Sequence, residues 1–223
     1  MRDRMPIWPI LLFLCVLSAC ATAPTRYYSL IPVQDAESPR APAMPANGSA
    51  AADPLAPHGL RLDVVEVPAQ VDRLQLVVRD PRHDPAGEVQ VLNESLWSAS
   101  LDSQLQAVLS ARVSMGLGLV DLQRLPMASG RPARSIEVRL TRFDLVWGEF
   151  SRLAAIWVDQ APGSEAPRIC EADIQVPAGG SVPDLVQSQR DAARLLSELI
   201  TEAATGLTTG LQGSYQVSKF GCT

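Results

Sequence analysis

Along this chain the spacing of apolar residues changes from two to about three and a half, back to two, and then to three and a half again. That order constrains the fold more than any single residue. Leu60, Leu62 and Val64 alternate with polar residues, and Leu74 to Val78 form a second apolar run beyond Pro68, so both read as strands. Glu88 to Leu92 reads as a brief third strand. A helix is then expected to start with Asn93 as N-cap and Glu94 in its first turn. It would carry Trp97, Leu101, Leu105, Val108 and Leu109 on one face and stop at Gly116. Ile136, Val138 and Leu140 alternate with Glu137, Arg139 and Thr141 in a half-buried strand running towards Phe143. Further strands are expected from Phe150 to Val158 and from Arg168 to Val176, around a turn-rich stretch. Ser181 can cap a second long helix, with Pro183 and Asp184 in its first turn. Its buried stripe would be Leu185, Ala192, Leu196, Leu199, Ala203 and Leu207, with Gly206 and Gly210 bracketing its end. Strands, helix, strands, helix, joined by hairpin-length turns, predict an α+β two-layer sandwich: two long helices packed on a mostly antiparallel sheet.

Ahead of this pattern stand Arg2 and Arg4, an apolar stretch from Ile7 to Leu17, and Leu17-Ser18-Ala19-Cys20. The stretch is too short to span a bilayer and has the layout of a secretory signal. It resembles a bacterial lipoprotein signal. That resemblance implies removal of residues 1–19 and a mature chain that begins with Cys20, bearing a thioether-linked diacylglycerol and an acylated amino group, palmitate included. Three acyl chains exceed what stable anchoring needs. Ala21, in place of the aspartate that retains Gram-negative lipoproteins on the inner membrane, implies the outer membrane. The competing reading, an ordinary secretory peptide with an incidental cysteine, lacks a better cleavage site. Residues 20–25 then form the anchor and a short tether, and residues 26–31 a first strand. The Pro- and Ala-rich residues 32–58 form a flexible insertion, residues 59–212 the main domain and residues 213–223 a C-terminal tail.

Loss of two arginines and one aspartate with the signal takes the formal charge from −5 to −6, and the one lysine is Lys219. Nucleic acid is therefore not an expected partner, because phosphate binding needs clustered cations. With Cys15 removed and Cys20 acylated, Cys170 and Cys222 are left in an oxidising compartment. Two readings of them stand open. A bridge would close a loop of about 50 residues, worth roughly 4 kcal/mol in the chain-entropy model. Alternatively, Cys170 is a small core residue on the strand face of Ala172, Ile174 and Val176.

Catalytic motifs are absent: no G-x-S-x-G, H-E-x-x-H, C-x-x-C or phosphate-cradling glycine loop occurs. The two histidines are His58, at the end of the insertion, and His83, in a Pro-rich turn. Asp80, His83 and Asp84 have metal-ligating chemistry, but a solvated turn explains them. Asp63 and Glu66, flanked by Arg61 and Arg73, read as exposed ion pairs. Tyr27, Tyr28, Trp97, Trp147 and Trp157 could line a lipid groove or pack the core, and packing is the default. Trp147, beside Gly148, is the aromatic expected at the surface.

Several of these islands together resemble one family, the ABC-type transport auxiliary lipoproteins that include the PqiC group. They are Tyr27, Tyr28 and Leu30 after the lipid cysteine, then Val64 to Pro68, and the tryptophan-led segment with Trp97, Leu101 and Leu105. Val138-Arg139-Leu140 leading to Phe143, Trp157 and the closing helix follow in order. Ser100 stands where the family often has proline, and the 32–58 insertion is long. The resemblance implies a non-enzymatic outer-membrane lipoprotein facing the periplasm, without metal or cofactor beyond the lipid on Cys20. It would dock an MCE-domain protein and its inner-membrane transport partners in moving lipid between membranes, and a homo-oligomer is compatible with it. A lipid-binding carrier with its own pocket is the alternative. Tyr28 and Leu30 are expected to share one strand face, with Tyr27 and Ser29 on the other.

Overall fold

In the computed structural model of the chain, residues 24–31, 59–82, 87–124, 132–207 and 214–223 are described. Cys20 and the signal, the 32–58 insertion with His58, His83 with Asp84, and Gly210 lie outside them. The elements are β1 (Arg26–Tyr28), β2 (Gly59–Glu66), β3 (Gln75–Arg79), β4 (Val89–Trp97), α1 (Leu101–Leu117) and β5 (Val120–Asp121). A single 3₁₀ turn (Leu122–Arg124) follows, then β6 (Ala133–Val146), β7 (Phe150–Gln160), β8 (Arg168–Pro177), α2 (Val182–Thr205) and β9 (Gln216–Cys222).

Among the described residues all nine strands belong to one sheet, in the order β1-β4-β3-β6-β7-β8-β9, with β2 on the first half of β6 and β5 beyond it. Strands β6 to β9 form antiparallel pairs; short turns dictate this for β6–β7 and β7–β8, whereas β9 returns to β8 after α2. Their alternation works as expected: Ile136, Val138, Leu153, Ala155, Trp157, Cys170, Ala172 and Ile174 are all buried. The sheet is nonetheless mixed. β2 and β3 lie parallel to β6, β2 also to β5, and β1 runs parallel to β4. The last residues, read from sequence as a tail, supply β9, which pairs with β8 from Gln175↔Gln216 to Cys170↔Cys222.

The helix expected from Asn93 begins later. Asn93, Glu94 and Trp97 belong to β4, and Ser100 takes the cap position of α1. Strand β3 pairs with β4 up to Leu92 and again at Leu96, and β1 pairs with Ser95 to Trp97, so the ladder on both sides keeps Asn93 and Glu94 extended between them. Propensity at Asn93 is outweighed by tertiary contacts. Nor does Gly116 end α1. It lies one residue inside, where an added Cβ would come within 2.9 Å of the Thr201 side chain, so it lets the two helices approach. Gly118, with φ of 65°, closes the helix.

Helix α2 starts as expected. The Ser181 hydroxyl accepts the Asp184 amide at 3.3 Å, with a proline in the first turn. Leu185, Ala192, Leu196, Leu199 and Ala203 are buried, but Leu207 is 71% exposed because α2 stops at Thr205 with Gly206 as its left-handed cap. No basic residue sits in the last turn of α2. Instead Arg134 of β6 donates to the Ala204 carbonyl and Arg168 of β8 to that of Ala203. Cations from the sheet thus satisfy the free carbonyls and the negative end of the helix dipole.

Candidate functional site

The best-defined local arrangement is the seat of the N-terminal segment. β1 pairs with the end of β4 as Arg26↔Ser95, Tyr27↔Leu96 and Tyr28↔Trp97, and the Ser98 amide adds a bond to the Tyr28 carbonyl at 2.7 Å. Leu30 is fully buried, Tyr28 half-buried, and Tyr27 is 68% exposed, so the alternation expected from sequence places Tyr28 and Leu30 inward. Two side chains then hold the segment. Gln104 of α1 accepts the Leu30 amide on Oε1 at 2.8 Å and donates from Nε2 to the Ala99 carbonyl at 2.8 Å. Arg190 of α2 donates from Nε to the Ser29 carbonyl at 2.8 Å. Gln104 is only 2% exposed, and using both ends of its amide is what makes that burial tolerable. Because Gln104 and Arg190 meet adjacent residues while Gly116 meets Thr201, the two helices run side by side in the same direction. Neither Gln104 nor Arg190 was singled out by sequence reasoning. The available signal was a polar residue inside the apolar stripe between Leu101 and Leu105.

The family-motif residues surround this seat or stiffen the sheet behind it. Trp97 is 2% exposed, set edge-on to Phe143 at 6.0 Å, and its backbone amide bonds the Leu74 carbonyl at 2.6 Å. It is a core residue at a strand end, not on a helix. Leu101 and Leu105 are buried in the core cluster. The Pro68 carbonyl accepts the amides of Val71 and Asp72, closing the turn between β2 and β3. Trp157 is buried and stacks on Phe220 of β9 at 6.5 Å. Beside them Cys170 and Cys222 are disulfide-bonded, while Cys170 is also a core residue, so the two sequence readings describe one arrangement. Trp147, expected at the surface, is partly buried and packs against the core.

Charges cluster on the sheet face turned away from the helices. Arg152 and Asp173 form a two-pronged pair at 2.8 and 2.6 Å. The arginine holds the Asp173 carboxyl below the usual carboxylate range, and the carboxylate raises the Arg152 guanidinium. Asp144 lies 3.6 Å from Arg79 and 3.9 Å from Arg142, and Lys219 meets Glu171 at 2.6 Å. Asp63 accepts a bond from Gln123 and Glu66 pairs with Arg139, so their partners differ from the neighbouring arginines expected. Asp173 is thus stabilised in its charged form, whereas a general base works best with a pKa near the operating pH. Asp80 engages Arg82, and among the described residues no group of His, Cys, Asp and Glu could hold a metal. Nor is any helix among them long and apolar enough to cross a membrane.

Comparison with known proteins adds the family context. The model of a family described as the ABC-type transport auxiliary lipoprotein component matches residues 40–201. No curated protein matches the chain. A solved structure described only as an uncharacterized protein aligns at a TM-score of 0.59 with 16% identity, covering 82% of this chain and 100% of that one. At that identity the likeness shows the fold alone. A second, of a Xanthomonas campestris protein, gives a TM-score of 0.47 at 16% identity, covering 71% of this chain and 93% of the other.

Proposed function

As a member of the ABC-type transport auxiliary lipoprotein family, this chain functions, we propose, as a non-catalytic accessory subunit. It is acylated on Cys20 and faces the periplasm from the outer membrane. There it docks an MCE-domain component and the inner-membrane parts of a lipid-transport system. The observation that carries this reading is the seat of residues 26–31. A strand within a few residues of Cys20 is built into the sheet and held by Gln104 and Arg190. An acyl anchor placed there fixes a rigid domain, not a domain on a long leash, and attachment with specificity needs only that. The ion pairs and packed aromatics around the sheet suit a scaffold whose surface is read by partners.

Two measurements test it. Cys20→Ser is expected to abolish palmitate labelling and leave unprocessed precursor at the inner membrane, because lipoprotein signal cleavage follows lipid attachment. The wild-type protein should co-purify from membranes with an MCE-domain component, and Cys20→Ser should lose it. A stably acylated protein without any envelope partner would overturn the docking role.

A further inference from the structure

The sheet carries two kinds of outer surface. Across β6 to β9 the face away from the helices bears Arg142, Asp144, Arg152, Asp173 and Lys219 in ion pairs, with Ile156 and Ile169 exposed singly among them. The wing formed by β1, β4 and β3 is different. Its exposed residues include Tyr27 at 68%, Val89 at 45% and Val91 at 38%, with the ion-paired cation Arg79 opposite Val89 on β3. Tyr27 lies opposite Leu96, on the strand face away from inward Tyr28 and Leu30. Val91 and Val89 lie opposite Val77 and Arg79, two residues apart and so on one face of β4.

The reach of the chain decides what this apolar wing meets. From Cys20 to Arg26 there are six residue steps, so at about 3.5 Å each the acylated end lies within roughly 20 Å of β1. Strand β7 alone, with 11 residues, is about 36 Å long. An anchor this short therefore brings one side of the domain to the bilayer, and that side is the wing.

We propose that the β1-β4-β3 wing rests on the lipid surface, with Tyr27 at the headgroup level and Val89 and Val91 against the outer acyl region. The proposal rests on acylation of Cys20 as given under the proposed function. Tyrosine suits the role because its ring is apolar and its hydroxyl stays hydrated. The contact adds little holding power beside the acyl chains. It sets orientation, turning the charged face of β6 to β9 and the far turn at Glu165 away from the membrane.

The test uses the full acylated protein in phosphatidylcholine vesicles, with a bimane label on Tyr27→Cys, Val91→Cys or Glu165→Cys. Cys170 and Cys222 are bridged, and Cys20 is acylated, so only the introduced thiol reacts. In vesicles of brominated lipid, the labels on the Tyr27→Cys and Val91→Cys proteins should lose emission relative to unbrominated vesicles, because bromine on the lipid quenches a fluorophore held against it. The label on Glu165→Cys should be unaffected. Flotation with the vesicles but no quenching at the first two sites overturns the wing contact and leaves the anchor standing. Equal quenching at all three sites overturns a fixed orientation. Failure to float overturns the acyl anchor and the wing contact together.

Discussion

Between β7 and β8 a single register runs unbroken from Phe150↔Pro177 to Asp159↔Arg168. Between β3 and β4 the pairing jumps from Gln75↔Leu96 to Leu76↔Leu92, leaving Asn93, Glu94 and Ser95 without partners on β3. The first region is held by its own ladder, by the Arg152–Asp173 pair across it and by the disulfide to β9. The wing is held by side chains that reach it from elsewhere: Phe143 against Trp97, Gln104 on Leu30 and Arg190 on Ser29. Regularity in one region and borrowed contacts in the other imply unequal local stability, since segments with few ladder bonds open at lower free energy.

The largest effect is expected where the two regions meet. Trp97→Ala removes the ring that joins the wing to β6 and should destabilise the domain by about 3–5 kcal/mol, read as a lowered thermal midpoint. An unchanged midpoint with lost partner binding would make Trp97 a surface contact instead. Cys222→Ser opens a loop of sequence separation 52, worth about 4 kcal/mol in the chain-entropy model. Its signature should be faster amide exchange in β9 and the adjoining β8, with β1 unaffected. Gln104→Leu deprives the buried Leu30 amide of its acceptor, at about 1–3 kcal/mol. Here the exchange pattern inverts: Leu30 and β1 should lose protection while β7 keeps it. If wild-type Tyr28 and Leu30 already exchange as fast as an open chain, the docked wing itself is wrong. Ser181→Ala should cost about 1 kcal/mol through loss of the α2 cap, again by thermal melting.

The smallest effect is electrostatic and belongs to the regular region. Asp173 titrates lower in the folded protein than in the unfolded chain because Arg152 bonds its carboxylate. Its stabilisation is thus complete above the unfolded value of about 3.9 and is lost as pH falls through the lower folded value. Asp173→Asn should flatten the acid limb of the stability curve there and leave stability near neutrality slightly reduced. An acid limb identical to wild type would show that the pair contributes nothing.

The same contrast explains what the sequence made legible. Strands β6, β7 and β8 were readable because they alternate, β6 on either side of a bulge after Leu140, and α2 because its stripe lies between Ser181 and Gly206, both of which act as caps. Local pattern and tertiary structure agree there. In the wing they conflict. Asn93 followed by Glu94 has the chemistry of a helix start, yet β1, more than sixty residues earlier, pairs in parallel with the end of β4 and keeps the segment extended through Trp97. No local signal announces a parallel partner at such a distance. Strand β9 was missed for a related reason: Gln216 to Cys222 is short and mostly polar, and Trp157 stacking and the disulfide place it. Gln104 was passed over because a polar residue on an apolar stripe looks like an imperfection until the chain end it grips is seen.

The parallel pairing of β1 with β4 has a mechanical consequence. A pull on the chain ahead of Arg26, directed along β1, loads its bonds to β4 in shear, all at once, and drags on the buried Leu30 side chain and the Gln104 and Arg190 bonds behind it. Peeling the same strand sideways would break those bonds one after another at lower force. If Cys20 tethers the domain, thermal jostling of the membrane along that line is therefore met by the strongest geometry three residues can offer, and the body moves with its anchor as one piece.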